Sequence, residues 1–335
     1  MNAPVADTGI PPAAVLRALA DALPGPLRLD RLVPLSGGAS AETCALDVTD
    51  GAGHQHGLIL RRSAGRSGSF NPGVGKREEA LTQRAAARHG VAAADVLAVF
   101  DADPELGNGY IMRRCDGETL PRRLLRDAPW NGVHGQLIAD CGQALAAIHR
   151  IPRDALPPLP EQPPARQLEQ LESMHDNFGQ AVPVFTLAFR WLRERLPPER
   201  PLQLVHGDFR LGNLMVDGRG LVAVLDWELV HLGDPVEDLG WLCVPAWRFG
   251  STLPAGGFAT REALLAAYAA AGGRQVGIDE LRFWEVFGTL RWGVICQWQA
   301  WAHLSGVAPS VERAAIGRRV TEVELDLLLL MQGKL

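Results

Sequence analysis

A polar segment between two apolar stretches constrains the fold of this 335-residue chain more than any other part. The apolar stretches, residues 202–205 and 221–225, have the length and composition of short buried strands. Asp208 and Asn213 lie in the loop between them, and Asp226 ends the second strand. Two strands joined by one loop should therefore place these three side chains on a single rim, where functional residues commonly lie.

Phosphoryl transfer to a hydroxyl requires oxygen groups of these three kinds. One carboxylate orients the hydroxyl and accepts its proton, an amide oxygen binds magnesium, and a second carboxylate bridges the metal to the nucleotide phosphates. We predict that Asp208 is the catalytic base and that Asn213 and Asp226 bind Mg²⁺. The alternative is a plain turn, with Asn213 capping the loop, but it does not account for the second carboxylate.

The segment from His206 to Asn213 resembles the H-G-D-x-x-x-x-N catalytic loop of the aminoglycoside phosphotransferase and choline kinase-like family. Residues 225–227, Leu-Asp-Trp, are similar to the metal-binding segment of that family, and the Gly-Asp-Pro of residues 233–235 also matches. The sequence of these segments resembles in particular the kinase-like domain linked to acyl-CoA dehydrogenases. His206 is expected to orient the loop by hydrogen bonding, as a structural residue.

The resemblance implies an α+β fold of the protein-kinase type, with two lobes. Residues 1–115 would form a small, β-rich, nucleotide-binding N-lobe, and residues 116–335 a larger, mostly helical C-lobe with the catalytic loop and the acceptor site. Local patterns agree, because the first part is dominated by strand patterns with one helix at residues 76–89. The remainder from residue 238 onward is expected to be helical and rich in tryptophan.

The implied cofactors are ATP and Mg²⁺, and the phosphates of ATP need a cation that a helix carboxylate holds. The family usually has a lysine on the third strand, whereas this chain has Arg61 there. Glu79 is the expected carboxylate partner, with Glu78 as the alternative. An arginine can contact phosphates through two N–H groups, so function is compatible with the replacement.

Two further segments are assigned to the nucleotide by the resemblance. The first is a turn that would cover the phosphates with backbone N–H and hydroxyl groups, formed by Ser36, Gly37, Gly38 and Ser40. The second is the strand that joins the lobes, where Met112 and Arg114 would border the adenine. A plain hairpin turn and a plain buried strand are the alternatives.

The acceptor is expected to be the hydroxyl of a small molecule. Glu228 and Asp234 lie just after the metal segment and could support the acceptor or the metal. Few acidic residues lie in this part of the chain, and the C-lobe is apolar. Both features favour a hydroxylated metabolite or hydroxyacyl thioester over an aminoglycoside. A nucleotide-binding pseudokinase is the alternative function, and the missing strand lysine at Arg61 is the feature that favours it.

Composition excludes other classes of partner. The formal net charge is −5, from 38 acidic and 33 basic residues, which gives no reason to expect a nucleic-acid or membrane-surface partner. No leader peptide and no membrane span are apparent, and the five cysteines lack metal-ligand or redox spacing. These features predict a cytoplasmic protein, whereas its oligomeric state and its preference between ATP and GTP stay open.

Overall fold

The computed structural model describes residues 9–35, 41–63, 73–130 and 132–335. The first half of the fold is a five-stranded antiparallel sheet with the strand order β1-β2-β3-β5-β4. Its strands are β1 Arg28–Pro34, β2 Ala41–Thr49, β3 Gln55–Ser63, β4 Val96–Asp103 and β5 Gly107–Arg113. All five lie within residues 1–115, the part of the chain that the sequence predicts to be β-rich.

Alternating apolar residues give this sheet two buried faces. On one face, Leu46 and Leu58 pack with the helix α1 (Pro12–Leu19), which contributes Val15 to the cluster. The other face packs against Ala80 of the helix α2 (Lys76–Arg88). The expectation of one helix in this region is therefore wrong, since α1 is too short for its apolar periodicity to identify it.

The second part of the chain is mostly helical. Its helices are α3 Pro121–Arg126, α4 His134–His149, α5 Pro164–Asn177, α6 Pro183–Arg193, α7 Val236–Cys243, α8 Arg261–Ala270, α9 Ile278–Leu304, α10 Val311–Gly317 and α11 Val320–Met331. The core forms around α9, whose Trp284 is almost fully buried, and it includes Trp227 from the segment after residue 226. No helix in the described ranges has the length and apolar character needed to cross a membrane.

Four short strands interrupt the helices and carry the polar segment. The strands β6 (Gln203–Val205) and β9 (His231–Gly233) pair with each other, and β7 (Leu214–Asp217) pairs with β8 (Gly220–Val224). The sequence predicts β6 and β8 but not β7 and β9. Asp226 therefore follows the β7–β8 hairpin, and the loop of Asp208 connects β6 to β7.

Backbone hydrogen bonds join the two parts of the fold next to this hairpin. Val224 N–H donates to the carbonyl of Ala92 at 2.7 Å, and Val74 N–H donates to the carbonyl of Glu228 at 2.8 Å. Both contacts hold the segments that flank α2 against the segment that carries Asp226. The lobe boundary expected after residue 115 falls just beyond the end of β5 and stays a prediction.

Candidate active site

The loop after β6 begins with a turn that only glycine accommodates. Gly207 has φ of 80°, in the left-handed region, and an added Cβ would collide with the carbonyl oxygen of Leu229. The N–H groups of His206 and Gly207 donate to the two carboxylate oxygens of Asp238, at 2.8 and 2.9 Å. Asp238 lies in the first turn of α7, so this helix holds the loop of Asp208 through one carboxylate.

His206 links this loop to the segment that ends in Asp226. Its Nε2 lies 3.1 Å from the carbonyl of Leu225, and its Nδ1 accepts from the N–H of Asp208 at 3.2 Å. Burial lowers the pKa of His206, which fits a neutral ring that donates through Nε2 and accepts through Nδ1. These contacts agree with the structural role expected for His206.

Three side-chain donors fix the carboxylate of Asp208. The indole Nε1 of Trp241 donates to Oδ1 at 2.7 Å, and Nε of Arg210 donates to the same oxygen at 3.0 Å. Nδ2 of Asn213 donates to Oδ2 at 2.6 Å and to the backbone carbonyl of Asp208 at 3.0 Å. Since both bonds use the amide nitrogen of Asn213, its Oδ1 is left to bind a cation.

Asp226 stands in a strained backbone conformation beside Asn213. Its φ of 63° and ψ of 69° are left-handed, a conformation that costs a non-glycine residue on the order of 1–2 kcal/mol and that concentrates at functional sites. The N–H of Leu225 donates to the backbone carbonyl of Asn213 at 2.8 Å, which keeps the two residues adjacent.

The donor set suits magnesium. A carboxylate from Asp226 and an amide oxygen from Asn213 are hard ligands, and Mg²⁺ usually takes one or two carboxylates and completes its shell with water and phosphate oxygens. Within the described ranges, no cluster of three or more His, Cys, Asp or Glu side chains forms a metal cage. The residues present therefore fit a metal that arrives with a nucleotide.

Arg61 on β3 faces Asp226. Its Nη2 lies 2.9 Å from Oδ1 of Asp226 and 3.4 Å from Oε1 of Glu79. Burial opposes the ionisation of Asp226, but the charge and hydrogen bond of Arg61 outweigh it and lower the pKa of Asp226. Nε of Arg61 is buried and has no hydrogen-bond partner in the part of the chain that the structure describes, so it could meet a phosphate oxygen.

Glu79 is fully buried and receives further donors. The hydroxyl of Tyr110 donates to its Oε1 at 2.8 Å, and Nζ of Lys76 donates to its Oε2 at 2.5 Å. The structure thus turns Glu79 toward Arg61. Sequence reasoning missed Lys76, although a lysine three residues before a helix carboxylate lies on the same helix face.

Glu228 and Asp234 have different surroundings. Oε2 of Glu228 lies 3.7 Å from Nζ of Lys76 and 3.9 Å from Arg61, so Glu228 belongs to the charged group around Asp226. Among the described residues, Asp234 contacts the N–H of Val236 at 3.0 Å and Arg274 at 3.6 Å. Burial raises the pKa of Asp234, and these contacts place it at the start of α7, away from the expected metal.

In the segment expected at the adenine, most of the hydrogen-bond donors already bond to other residues of the protein. The N–H groups of Arg113 and Arg114 donate to Asp95 and Gly57, at 2.8 and 2.9 Å, and the guanidinium of Arg114 donates to Asp47 at 2.9 Å. The side chain of Arg114 therefore turns toward β2. An adenine edge would have to meet backbone carbonyls or the next residue, Cys115, which is only partly buried.

The phosphate-covering turn lies outside the described residues. Its members Ser36, Gly37, Gly38 and Ser40 therefore stay predictions, as does the adenine role of Met112. Met112 itself is buried, and its sulfur lies 3.3 Å from Nε2 of Gln83.

Comparison with known proteins gives a family and a fold. The family model described as "Phosphotransferase enzyme family" (APH) matches residues 31–284. Acyl-CoA dehydrogenase family member 10 of Mus musculus is 41% identical over 76 residues, which are 22% of this chain and 7% of that protein. Acyl-CoA dehydrogenase family member 11 of Homo sapiens is 33% identical over 100 residues, 27% of this chain and 13% of that protein. The matches thus span a small part of these relatives.

Solved structures match over nearly the whole chain. A candidate aminoglycoside phosphotransferase from Ralstonia eutropha JMP134 superposes with a TM-score of 0.76 at 22% identity, covering 97% of this chain and 99% of that one. APH(4)-Ia in complex with AMP-PNP and hygromycin B gives 0.56 at 18%, covering 89% and 94%. Plasmodium vivax ethanolamine kinase gives 0.56 at 14%, covering 92% and 84%. The predicted α+β, two-lobed, protein-kinase-like fold is confirmed.

Proposed function

Because the chain belongs to the phosphotransferase enzyme family, we propose that it transfers the γ-phosphate of ATP to a hydroxyl of a small molecule. The observation that supports this most strongly is the geometry around Asp208. Its carboxylate is fixed by Trp241, Arg210 and Asn213, while Asn213 keeps an oxygen for a metal beside Asp226. Catalysis of this reaction is mostly positioning and electrostatic stabilisation, which such fixed groups supply.

In the proposed step the acceptor oxygen attacks the γ-phosphorus while the bond from that phosphorus to the β–γ bridging oxygen breaks. The hydroxyl proton passes to Asp208, and ADP leaves with the bridging oxygen. Asn213 and Asp226 would hold Mg²⁺, which when bound would neutralise charge on the phosphates. Arg61, braced by Glu79, adds a guanidinium beside the same phosphates.

The first experiment is thermal unfolding with and without Mg-ATP, on the wild type and on Asp226→Asn and Asp208→Asn. Asparagine tolerates a left-handed backbone, so Asp226→Asn removes the charge with little backbone strain. At a nucleotide concentration of 100 times Kd, binding stabilises the native state by about 2.7 kcal/mol. We expect this magnesium-dependent gain in the wild type and in Asp208→Asn, but not in Asp226→Asn.

Phosphate transfer separates the proposal from a pseudokinase. Asp208→Asn should lower kcat by about 10²- to 10⁴-fold, the usual contribution of a general base, while nucleotide binding persists. The assigned roles are wrong if Mg-ATP stabilises no form of the protein. They are also wrong if the kcat of Asp208→Asn equals that of the wild type. Nucleotide binding without any transfer would instead support the pseudokinase.

For the acceptor, we propose a hydroxylated metabolite or a hydroxyacyl thioester rather than an aminoglycoside. The nearby carboxylates already have partners, since Asp238 holds the catalytic loop and Glu237 pairs with His231 and Arg291. A polyamine sugar would therefore find few free acidic groups. The names of the acyl-CoA dehydrogenase relatives also suggest an acyl substrate.

A screen for ADP release tests this class. Hydroxyacyl thioesters, free hydroxy acids, choline and an aminoglycoside would be compared at equal concentration with the wild type and with Asp208→Asn as the blank. Release that depends on Asp208 and is fastest with the aminoglycoside would contradict the proposed acceptor class.

A further inference from the structure

A cavity of about 590 Å³ lies between α5, α9 and the segment that follows Asp226. Its size is within the range of small-molecule sites. Apolar side chains form much of its wall: Val74, Leu171, Met174, Leu229, Val230 and Phe287. No tryptophan lines it in the part of the chain that the structure describes.

Two contacts connect this cavity to the catalytic loop. Arg291, in the cavity wall, stacks its guanidinium 5.0 Å from the ring centroid of Trp241, whose indole donates to Asp208 at 2.7 Å. On the other side, the carbonyl of Leu229 packs so closely on Gly207 that no side chain fits there. The cavity therefore adjoins the loop at Leu229 and is connected to Asp208 through Arg291 and Trp241.

The charges of the cavity wall are largely balanced. Arg291 and His231 both pair with the buried carboxylate of Glu237, at 3.2 and 3.1 Å, so the three groups carry no net charge while the imidazole is neutral and one positive charge when it is protonated. Glu169 is the carboxylate that lines the cavity directly, and it is exposed at the rim. Such a wall has little to attract a polycation or a polyanion.

One polar atom in the wall needs a donor. Oε1 of Gln162 is buried and accepts no hydrogen bond from any residue that the structure describes. Because this oxygen has almost no accessible surface, it does not open into the cavity, and the apolar side chains of the wall are what define the ligand as one with an apolar body.

We propose that this cavity binds an unbranched aliphatic segment of the acceptor, and so selects acceptors by chain length. The inference rests on the proposed phosphotransfer function, because it concerns the acceptor of that reaction. Met174 and Leu171 give the wall flexible aliphatic side chains that adapt to a chain better than to a rigid sugar. Each added methylene is expected to improve binding about three- to fourfold while the cavity fills.

The test uses straight-chain 1-alkanols of four to eight carbons, which differ only in aliphatic length. Calorimetry would measure their affinity without nucleotide, and coupled ADP release would measure kcat/KM with Mg-ATP. For the wild type, both quantities should rise about three- to fourfold per carbon. Binding that rises without any ADP release would sink the proposed function but not the cavity assignment.

Two substitutions of the partly buried Met174 change the volume of the cavity in opposite directions. Met174→Trp should remove most of the dependence on chain length, whereas Met174→Ala should keep it. Leu187→Trp, on the exposed face of α6, adds the same side chain outside the cavity and should behave as the wild type. Circular dichroism would verify that each variant is folded.

A slope below about 1.5-fold per carbon in the wild type would overturn the proposal, since it is far less than burial of a methylene provides. An unchanged slope in Met174→Trp would overturn it as well, because the aliphatic segment would then bind elsewhere.

Discussion

Trp241 contributes a single hydrogen-bond donor to the site, and that donor faces Asp208. An indole N–H bonded to a carboxylate oxygen at 2.7 Å both orients the carboxylate and stabilises its charge. Because Trp241 reaches Asp208 from α7, the position of this proposed base depends on a residue 33 positions further along the chain. Its side chain is therefore a positioning group for the proposed catalytic step.

We predict that Trp241→Phe lowers kcat about tenfold, because a hydrogen bond to a charged group contributes roughly 1.5–3 kcal/mol. The KM for ATP should change little. Steady-state kinetics would measure both values. Trp247→Phe is the matched control, since the indole nitrogen of Trp247 has no partner in the described part of the chain. Equal losses of kcat in both variants would mean that the packing of the rings, and not the hydrogen bond to Asp208, is responsible.

At the residue scale, the sequence was most informative where the chemistry lies in neighbouring positions. Asp208, Asn213 and Asp226 could be predicted because their spacing along two strands and one loop nearly determines their placement. Lys76, Arg210 and Trp241 were not predicted as parts of the site. A single lysine, arginine or tryptophan is compatible with many surroundings, and its contacts depend on tertiary packing.

At the scale of elements, α7 determines the conformation of the catalytic loop. Both oxygens of Asp238 accept backbone N–H groups from the turn after β6, and Nε2 of His149 on α4 contacts the same carboxylate at 3.1 Å. Burial raises the pKa of Asp238, but the bonds and charges of His149 and the loop outweigh it and lower that pKa. One ionised carboxylate therefore joins α7, α4 and the loop.

Asp238→Asn should destabilise the protein by about 2–4 kcal/mol, because it removes a buried charge that three donors require. Chemical denaturation would measure the change, and the m-value should stay constant if only stability changes. Glu312→Gln, an exposed position in α10, should stay within about 0.5 kcal/mol of the wild type. If the free energy of unfolding of Asp238→Asn falls by less than about 1 kcal/mol, the loop keeps its conformation without the charge of Asp238.

The elements themselves differ in how well the sequence predicts them. Strands β2 and β3 have nine residues each, and in β3 the buried residues Leu58 and Leu60 alternate with less buried ones, which is a clear pattern. Strands β7 and β9 have four and three residues, too few for any periodicity, and their pairing depends on distant partners. The catalytic loop was nevertheless placed correctly because β6 and β8 enclose it.

At the scale of the whole molecule, charged pairs bind together segments that are far apart in sequence. His231 on β9, Glu237 on α7 and Arg291 on α9 form one buried group next to the cavity. Burial lowers the pKa of His231, but the charge of Glu237 outweighs it, so the pKa of His231 is raised. Likewise, His231 and Arg291 overcome burial and lower the pKa of Glu237.

These two shifts predict how stability depends on pH. The raised pKa of His231 stabilises the native state fully below the ordinary histidine pKa of 6.5, and this stabilisation is lost as pH rises through the folded pKa. The lowered pKa of Glu237 stabilises above 4.5 and is lost as pH falls through its folded pKa. The free energy contributed by the pair should therefore decrease above about pH 6.5 and again in acid.

Denaturant unfolding of the wild type and His231→Gln at pH 6, 7 and 8 would measure this contribution. Their difference in unfolding free energy should shrink as pH rises. The comparison is needed because His206, with its lowered pKa, changes wild-type stability in the opposite direction, mainly below about pH 6.5. A constant difference would show that His231 does not titrate against Glu237.

The different burial of the five cysteines makes selective alkylation of one of them possible. Four of the five are buried, and Cys115, partly exposed after β5, stands next to the expected adenine edge. Burial raises the pKa of Cys115, so its thiol should react slowly enough for alkylation rates to be followed by hand mixing. We therefore expect labelling of Cys115 in the unmodified chain to slow when a nucleotide occupies the proposed adenine site.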